Sequence, residues 1–256
     1  MTQKERRIFL IKELLKEKDE YKKIALPEKE EDQRLLLRGL MNLRMPGEIS
    51  GVFLKIQDEY LKEEIKEKGI TDIKDLEFTE NGICIWQGDI TTLRIDAIVN
   101  AANSGMTGCY VPNHNCIDNA IHSFSGIELR NKLSSIMKRQ GHLEPTGKAK
   151  ITEAFNLPSK FIIHTVGPII TGSLRKEDCE ELASCYKSSL ELASEKKLES
   201  IAFCCISTGE FHFPNEKAAE IAVFTVKEFL KKKTSIKKVI FNVFKEKDRE
   251  IYRKLL

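Results

Sequence analysis

Apolar positions recur at helical spacing from residue 1 to about residue 70, and at strand spacing beyond it. Ile8, Ile11, Leu14 and Leu15 form one stripe, Leu36, Leu40 and Leu43 a second, and Leu54, Leu61 and Ile65 a third. Pro27, Pro46-Gly47 and Gly69 separate these segments as turns and a stop. Past Phe78 the apolar runs shorten and become β-prone, at 83–86, 96–100, 148–155, 160–166, 200–206 and 237–244. Helical patterns at 119–140, 177–196, 215–232 and from Glu246 onward alternate with them. Several of the strands are apolar throughout, as strands covered on both faces must be. The pattern therefore predicts an α/β chain with a largely parallel sheet, preceded by a small α-helical N-terminal domain at 1–72 that packs beside a main domain at 73–256.

Composition narrows the class. In 256 residues, charged side chains make up 32%, yet the net charge is only +3, so the surface is mixed and solvated rather than built for a phosphate backbone. No nucleic-acid partner is expected. The N-terminal stretch is dense in Lys, Arg and Glu, with no apolar run long enough for a signal peptide or a membrane span, so a cytoplasmic protein with no membrane partner is expected. Seven cysteines, an odd number, argue against a disulfide framework. Cys84, Cys204 and Cys205 sit in apolar runs, and Cys179 and Cys185 on a helical pattern, as small core residues do.

Cys109 and Cys116 have different company. With His114 they form Cys-x4-His-x-Cys on one loop, a borderline-soft donor set that suits zinc better than magnesium or calcium. Three ligands leave a position for water or substrate, as in a catalytic zinc. A structural zinc that recruits Cys84 or His122 as a fourth ligand, a loop with no metal, and a thiolate pair acting as nucleophile are the alternatives at this point. Asp118 opens the helix that follows, where it would either cap free N–H groups or orient His114 or a water.

In a parallel sheet, ligands sit beyond the carboxyl ends of the strands. Three unusual loops leave those ends, at 88–89, 100–116 and 207–214. Asp89 follows a glycine, where its carboxylate either accepts from an exocyclic amine such as that of adenine or caps a turn. Asn100 and Asn103 bracket two alanines and offer amides for ribose hydroxyls or for bracing the loop. Ser207, Thr208 and Gly209 leave a buried strand and precede a helix at Pro214, a setting in which free backbone N–H groups suit a diphosphate. Phe211 is placed to stack on a sugar or to join the core.

Taken together, Gly88-Asp89-Ile90-Thr91, Val99-Asn100-Ala101-Ala102-Asn103-Ser104, His164-Thr165-Val166-Gly167-Pro168, and Ser207-Thr208-Gly209 with Phe211 and Pro214 resemble the macrodomain family, in the family's order and over roughly residues 75–256. The resemblance implies a mixed sheet sandwiched between helices that binds ADP-ribose. By the same resemblance, Asp89 and the Ile90 backbone meet the adenine, Asn103 lies at the distal ribose, and Ser207, Thr208, Gly209, Glu210 and Phe211 wrap the diphosphate and distal ribose. Where many members carry a run of glycines, this chain has Gly105-Met106-Thr107-Gly108 and then Cys109, His114 and Cys116; His212 also stands where glycine is frequent. That departure is similar to the zinc-dependent branch, which has a helical N-terminal extension and removes ADP-ribose from proteins. It implies a Zn2+ cofactor held by Cys109, His114 and Cys116, catalytic roles for Asn103 and Asp118, and a mono-ADP-ribosylated protein, modified on an acidic residue, as substrate. A reader of ADP-ribose with a structural zinc, and a deacetylase of O-acetyl-ADP-ribose, are the alternatives.

Overall fold

A computed structural model describes all residues from Met1 to Leu256. Three helices come first: α1 (Gln3–Leu15), α2 (Glu30–Leu43) and α3 (Gly51–Lys68). Thr2 begins α1 with a reciprocal capping box through Glu5, and Ser50 caps α3 by accepting from Phe53 N. The helical spacing is as expected, but the buried stripes are wider and rotated. Leu10, Ile11 and Leu14 meet Leu37, Leu40, Met41, Phe53, Tyr60 and Leu61, while Leu36 and Leu54 are only half-buried. Polar side chains hold the rest of the stripe. Arg7, 1% exposed, donates to Gln33 and Glu30, which compensates a guanidinium that periodicity alone would have placed on the surface.

The main unit is a six-stranded sheet in the order β2-β8-β7-β4-β6-β5, formed by β2 (Ile83–Gln87), β8 (Lys238–Val243), β7 (Ser200–Phe203), β4 (Ala97–Ala102), β6 (Phe161–Val166) and β5 (Ala149–Glu153). Five strands are parallel and only β5 runs antiparallel to its neighbour, so the sheet is mixed and largely parallel. Two residues each from β1 (Thr71–Asp72) and β3 (Leu93–Arg94) make a separate parallel pair that the hydropathy pattern does not reveal, being too short for a period. Helices α4 (Ile117–Ser125) and α5 (Ile127–Gln140) pack on one side, next to α2 and α3; α6 (Lys176–Glu195), α7 (Asn215–Leu230) and α8 (Glu246–Leu255) form the layer on the other. Nearly every residue of β4, β6, β7 and β8 is buried, which is the apolar continuity read from the sequence.

One predicted helix is two. The segment 119–140 is divided at Gly126, whose φ of 99° and ψ of 171° are open essentially to glycine alone. The break is where α3 docks. Gln57, fully buried, accepts from Ile127 N at 3.0 Å and donates to Glu128 at 3.1 Å, so a side chain of the helical unit satisfies the first turn of α5. A Cβ on residue 126 would lie 2.6 Å from Gln57 Nε2. Gly126→Ala is accordingly expected to lower stability by about 1–3 kcal/mol from the backbone alone, with more from the clash. Denaturant unfolding of the variant beside the parent chain measures this, and an unchanged midpoint would contradict it.

Candidate functional site

Because five strands run parallel, their carboxyl ends share one edge, and strand order fixes the order of chemistry along it. Asp89 follows β2, Phe244 follows β8, Ser207, Thr208 and Gly209 follow β7, Asn103 and the cysteine loop follow β4, and Gly167 follows β6. From β2 to β4 is three strand spacings, roughly 14 Å. That is room for an extended ligand laid across the edge.

At the β2 end, Asp89 caps a short 3-10 turn at Ile90–Thr92. One carboxylate oxygen accepts from Thr91 N at 2.9 Å and Thr91 Oγ1 at 2.6 Å. The other accepts from Lys68 Nζ at 2.9 Å, and that ammonium also lies 3.4 Å from the centre of the Phe124 ring. Burial works against ionisation of Asp89, but Thr91 and Lys68 prevail and hold its carboxyl below the usual value. Turn cap and exposed acceptor are therefore the same residue. Ile90 is buried. Phe244, 79% exposed, stands beside this turn, its carbonyl accepting from Gln87 Nε2. It was not among the residues singled out from the sequence, where it is simply the last apolar residue of a strand; a large bare ring at a carboxyl edge is the signal.

Beyond β7 the strand ends at Phe203, earlier than its apolar run, and the chain turns tightly. Ser207 has φ of 64° and His212 φ of 56°, both left-handed. Ser207 is buried with its hydroxyl against Gly167, so close that a Cβ at 167 would lie 2.0 Å from Ser207 Oγ. Thr208 turns inward, its hydroxyl donating to Cys205 O at 3.0 Å. Gly209 faces open space, and the backbone N–H groups of Gly209, Glu210 and Phe211 find no acceptor within the chain. Such a run of free donors ahead of a helix suits an anion. Phe211 is half-buried, and its carbonyl accepts from Ile170 N at 2.9 Å.

Beyond β4, a buried polar knot replaces the expected ribose contacts of Asn100. This residue has no exposure; its amide donates to Asp118 Oδ1 at 2.8 Å and to His164 Nδ1 at 3.2 Å. His164 Nε2 stands 3.0 Å from Thr152 Oγ1, so the ring accepts at Nδ1 and donates at Nε2. Asn103 donates to Asp118 Oδ2 at 3.2 Å and to Gly108 O at 3.1 Å, while its carbonyl accepts from Gly105 N at 3.0 Å. Asp118 does not cap its helix. Cys116 does, its sulfur accepting from Asn119 N at 3.4 Å, and the Asp118 carboxylate points to the two asparagines instead. Burial pushes that carboxyl up to about 6, against the opposing pull of Asn100 and Arg130. His122, one turn on, lies 3.5 Å from Asp118 Oδ1, too long for a good hydrogen bond, and its ring packs on Gly108.

Cys109, His114 and Cys116 come together, their ligand atoms all within 4.8 Å of one another. Two donors on one tetrahedral zinc, at about 2.3 Å for sulfur and 2.1 Å for nitrogen, stand roughly 3.6 Å apart. Cys109 Sγ and His114 Nδ1 are 3.8 Å apart. Burial pushes the Cys116 thiol up to about 12, so a thiolate at that place calls for a cation beside it. Distance and chemistry thus fit zinc. Cys84, in β2, and His122 stand outside the group. His114 Nε2 also lies 3.7 Å from Glu210, so the loop after β7 faces the cysteine loop across the cleft. No helix is long and apolar enough to cross a membrane.

The chain has relatives among known proteins. Residues 99–222 match the model of the Macro domain family. The chain is 57% identical to a protein-ADP-ribose hydrolase of Treponema medium, over 100% of both chains. Among solved structures, it is similar to an Oceanobacillus iheyensis macrodomain with ADP, with 39% identity and a TM-score of 0.61 over 70% of this chain and 91% of that one. It is also similar to a Trypanosoma brucei macrodomain in complex with ADP-ribose, with 26% identity and a TM-score of 0.66 over 90% and 96%.

The buried knot carries a pH signature. Burial lowers the His164 pKa to about 3, below its unfolded value, so the unfolded chain binds more protons at mildly acid pH. Stability is then complete above the unfolded histidine pKa of about 6.5, and falls by up to about 1.4 kcal/mol per pH unit as pH drops from there toward 3. His164→Gln is expected to flatten this slope while lowering stability at pH 7. Chemical unfolding of both proteins at pH 7, 6 and 5 decides it; equal slopes would refute the assignment.

Proposed function

The chain belongs to the macro domain family, and from this premise we propose that it is a zinc-dependent hydrolase that removes mono-ADP-ribose from an acidic residue of a modified protein. The full-length likeness to a protein-ADP-ribose hydrolase supports hydrolysis of ADP-ribose linked to protein. The observation that carries the zinc reading is the Cys109, His114 and Cys116 group at the β4 end of the edge, beside Asn103 and across from Glu210. Helices 1–72 are the extension and 73–256 the catalytic unit in this reading.

Strand order supports one pose for the ligand. Asp89 and the Ile90 backbone take the adenine, with the bare ring of Phe244 to stack on its face. The free N–H groups of the loop carrying Ser207, Thr208, Gly209, Glu210 and Phe211 hold the diphosphate. The distal ribose then reaches Asn103 and the cysteine loop. Asn100 serves by holding Asp118 rather than by touching ligand. Zinc held by Cys109, His114 and Cys116 supplies Lewis acidity at the reactive end. Asp118, with a carboxyl poised near 6 and tied to Asn103, exchanges a proton with the reacting group and keeps the Asn103 amide aimed. Hydrolysis adds water across the ribose–carboxylate ester, leaving ADP-ribose and the free acidic side chain.

The test is release of ADP-ribose from a protein modified on glutamate or aspartate, before and after chelation, alongside measured metal content. The parent chain is expected to carry about one zinc and to lose activity on chelation, regaining it with added zinc. Cys109→Ala is expected to lose both metal and turnover. Full activity in metal-free protein would sink the zinc reading, and ADP-ribose binding without turnover would favour a reader. In a separate measurement, Asp118→Ala is expected to lower kcat by about 100-fold or more. Unchanged kcat would remove Asp118 from catalysis.

A further inference from the structure

We propose that α2 of the N-terminal helical unit is the brace that sets the shape of the cysteine–histidine loop, with Arg38 as its positioning residue. This rests on the reading that the loop holds zinc. Between Cys109 and Cys116 the chain makes a single backbone hydrogen bond with itself, from His114 N to Val111 O at 3.3 Å. Nothing in that segment holds three ligand side chains in place. The holding bonds come from elsewhere, and most lead to α2.

The guanidinium of Arg38 donates to His114 O at 3.2 Å and, through two nitrogens, to Asn119 Oδ1 at 2.8 and 3.2 Å. Asn119 passes the constraint on: its side-chain amide donates to Val111 O at 3.0 Å, and its backbone N–H donates to the sulfur of Cys116. One planar fork therefore ties the carbonyl of the histidine ligand to the residue that holds both the middle and the end of the loop. One turn further along α2, Asn42 Oδ1 accepts from Asn113 N at 3.0 Å. Asn113 has φ of 55°, the reversal that brings His114 back toward Cys109.

The start of the loop is tied to the end of the same helix. Arg130 Nη1 donates to the carbonyls of Met41, Asn42 and Arg44, which the helix terminus leaves free, and its Nη2 donates to Cys109 O at 3.2 Å. Contact is close enough that α2 has a glycine where the loop crosses it. A Cβ on Gly39 would lie 3.3 Å from Asn113 Nδ2 and 3.6 Å from Pro112 Cβ. The loop thus lies on α2 along its length, each ligand-bearing part within one or two hydrogen bonds of that helix. Partners that orient metal ligands typically change metal affinity 10- to 100-fold when removed.

The experiment compares the full chain with Arg38→Met and Arg38→Lys by chelator-competition titration of zinc, by the visible spectrum of the cobalt-loaded protein, and by ADP affinity. ADP lacks the distal ribose and reports on the other end of the cleft. Arg38→Met is expected to weaken zinc binding about 10- to 100-fold and to shift the cobalt bands, with ADP affinity kept within about twofold. Arg38→Lys keeps the charge and loses the fork; it is expected to weaken zinc binding in the same direction, and it stands in if the methionine variant does not fold. Zinc affinity and cobalt spectrum unchanged in a folded variant would overturn the brace alone. So would a lysine variant equal to the parent beside a weakened methionine variant, because charge rather than geometry would then be at work. A parent chain that takes up no zinc would overturn the zinc reading and the brace together.

Discussion

The constraint on which the cleft depends is the burial of Asp118. A carboxylate with almost no access to water needs donors, and here they come from the strand below it and the loop above it: Asn100 within β4 and Asn103 at its end. Those two bonds fix the distance between the sheet edge and the first turn of α4. Cys116 caps that same turn, so the position of one sulfur of the cysteine–histidine group follows from where the carboxylate is held. Asn103 carries the constraint outward, since its second N–H holds Gly108 and its carbonyl holds Gly105. Removing any member leaves buried polar atoms unpaired, which is costlier than the loss of one exposed bond.

Much of the architecture was legible because it is written locally. The buried runs of β4, β6, β7 and β8 needed only the rule that strands covered on both faces are apolar throughout, and Gly88-Asp89 and Ser207-Thr208-Gly209 show themselves as breaks after such runs. The cysteine loop was legible because its three donors lie within eight residues of sequence. What stayed hidden depends on contacts between distant residues. Lys68 on Asp89, Arg38 on Asn119 and Arg130 on the end of α2 link segments that no window of periodicity spans. Gly126 is the instructive case. A glycine within an apolar helical pattern reads as a weak point in one helix, and only the arrival of Gln57 makes it the boundary of two.

The helical unit changes meaning once these long-range bonds are in view. Its charged residues alternate as a solvated face would, and several form exposed pairs worth little. Besides the buried Arg7 and Arg44, two further cations depart from that pattern, and they sit at opposite ends of the cleft. Lys68 finishes α3 against Asp89, and Arg38, half-buried, lies against the cysteine–histidine loop. Lys68 takes the Asp89 oxygen that Thr91 leaves free, and Arg38 shares Asn119 Oδ1 with Ser123, so each fixes geometry more than it adds charge. In the proposed pose, a chain with a net charge of only +3 would need no basic face for a diphosphate, because the receiving groups would be the free backbone N–H dipoles after β7.

Glu210 is the one acidic group among those free donors, and its location argues for coupling between the two loops. Alone, a carboxylate there would oppose the negative ligand that the N–H groups are placed to receive. It lies 3.7 Å from His114 Nε2, while the other ring nitrogen faces Cys109. Under the proposed zinc reading, a carboxylate on the Nε2 side of the His114 ring would serve as an orienting partner for that ligand. The charge that would repel a diphosphate is then turned toward the metal loop. Under the proposed function, anion reception after β7 and ligand orientation after β4 would meet in one residue pair across the cleft.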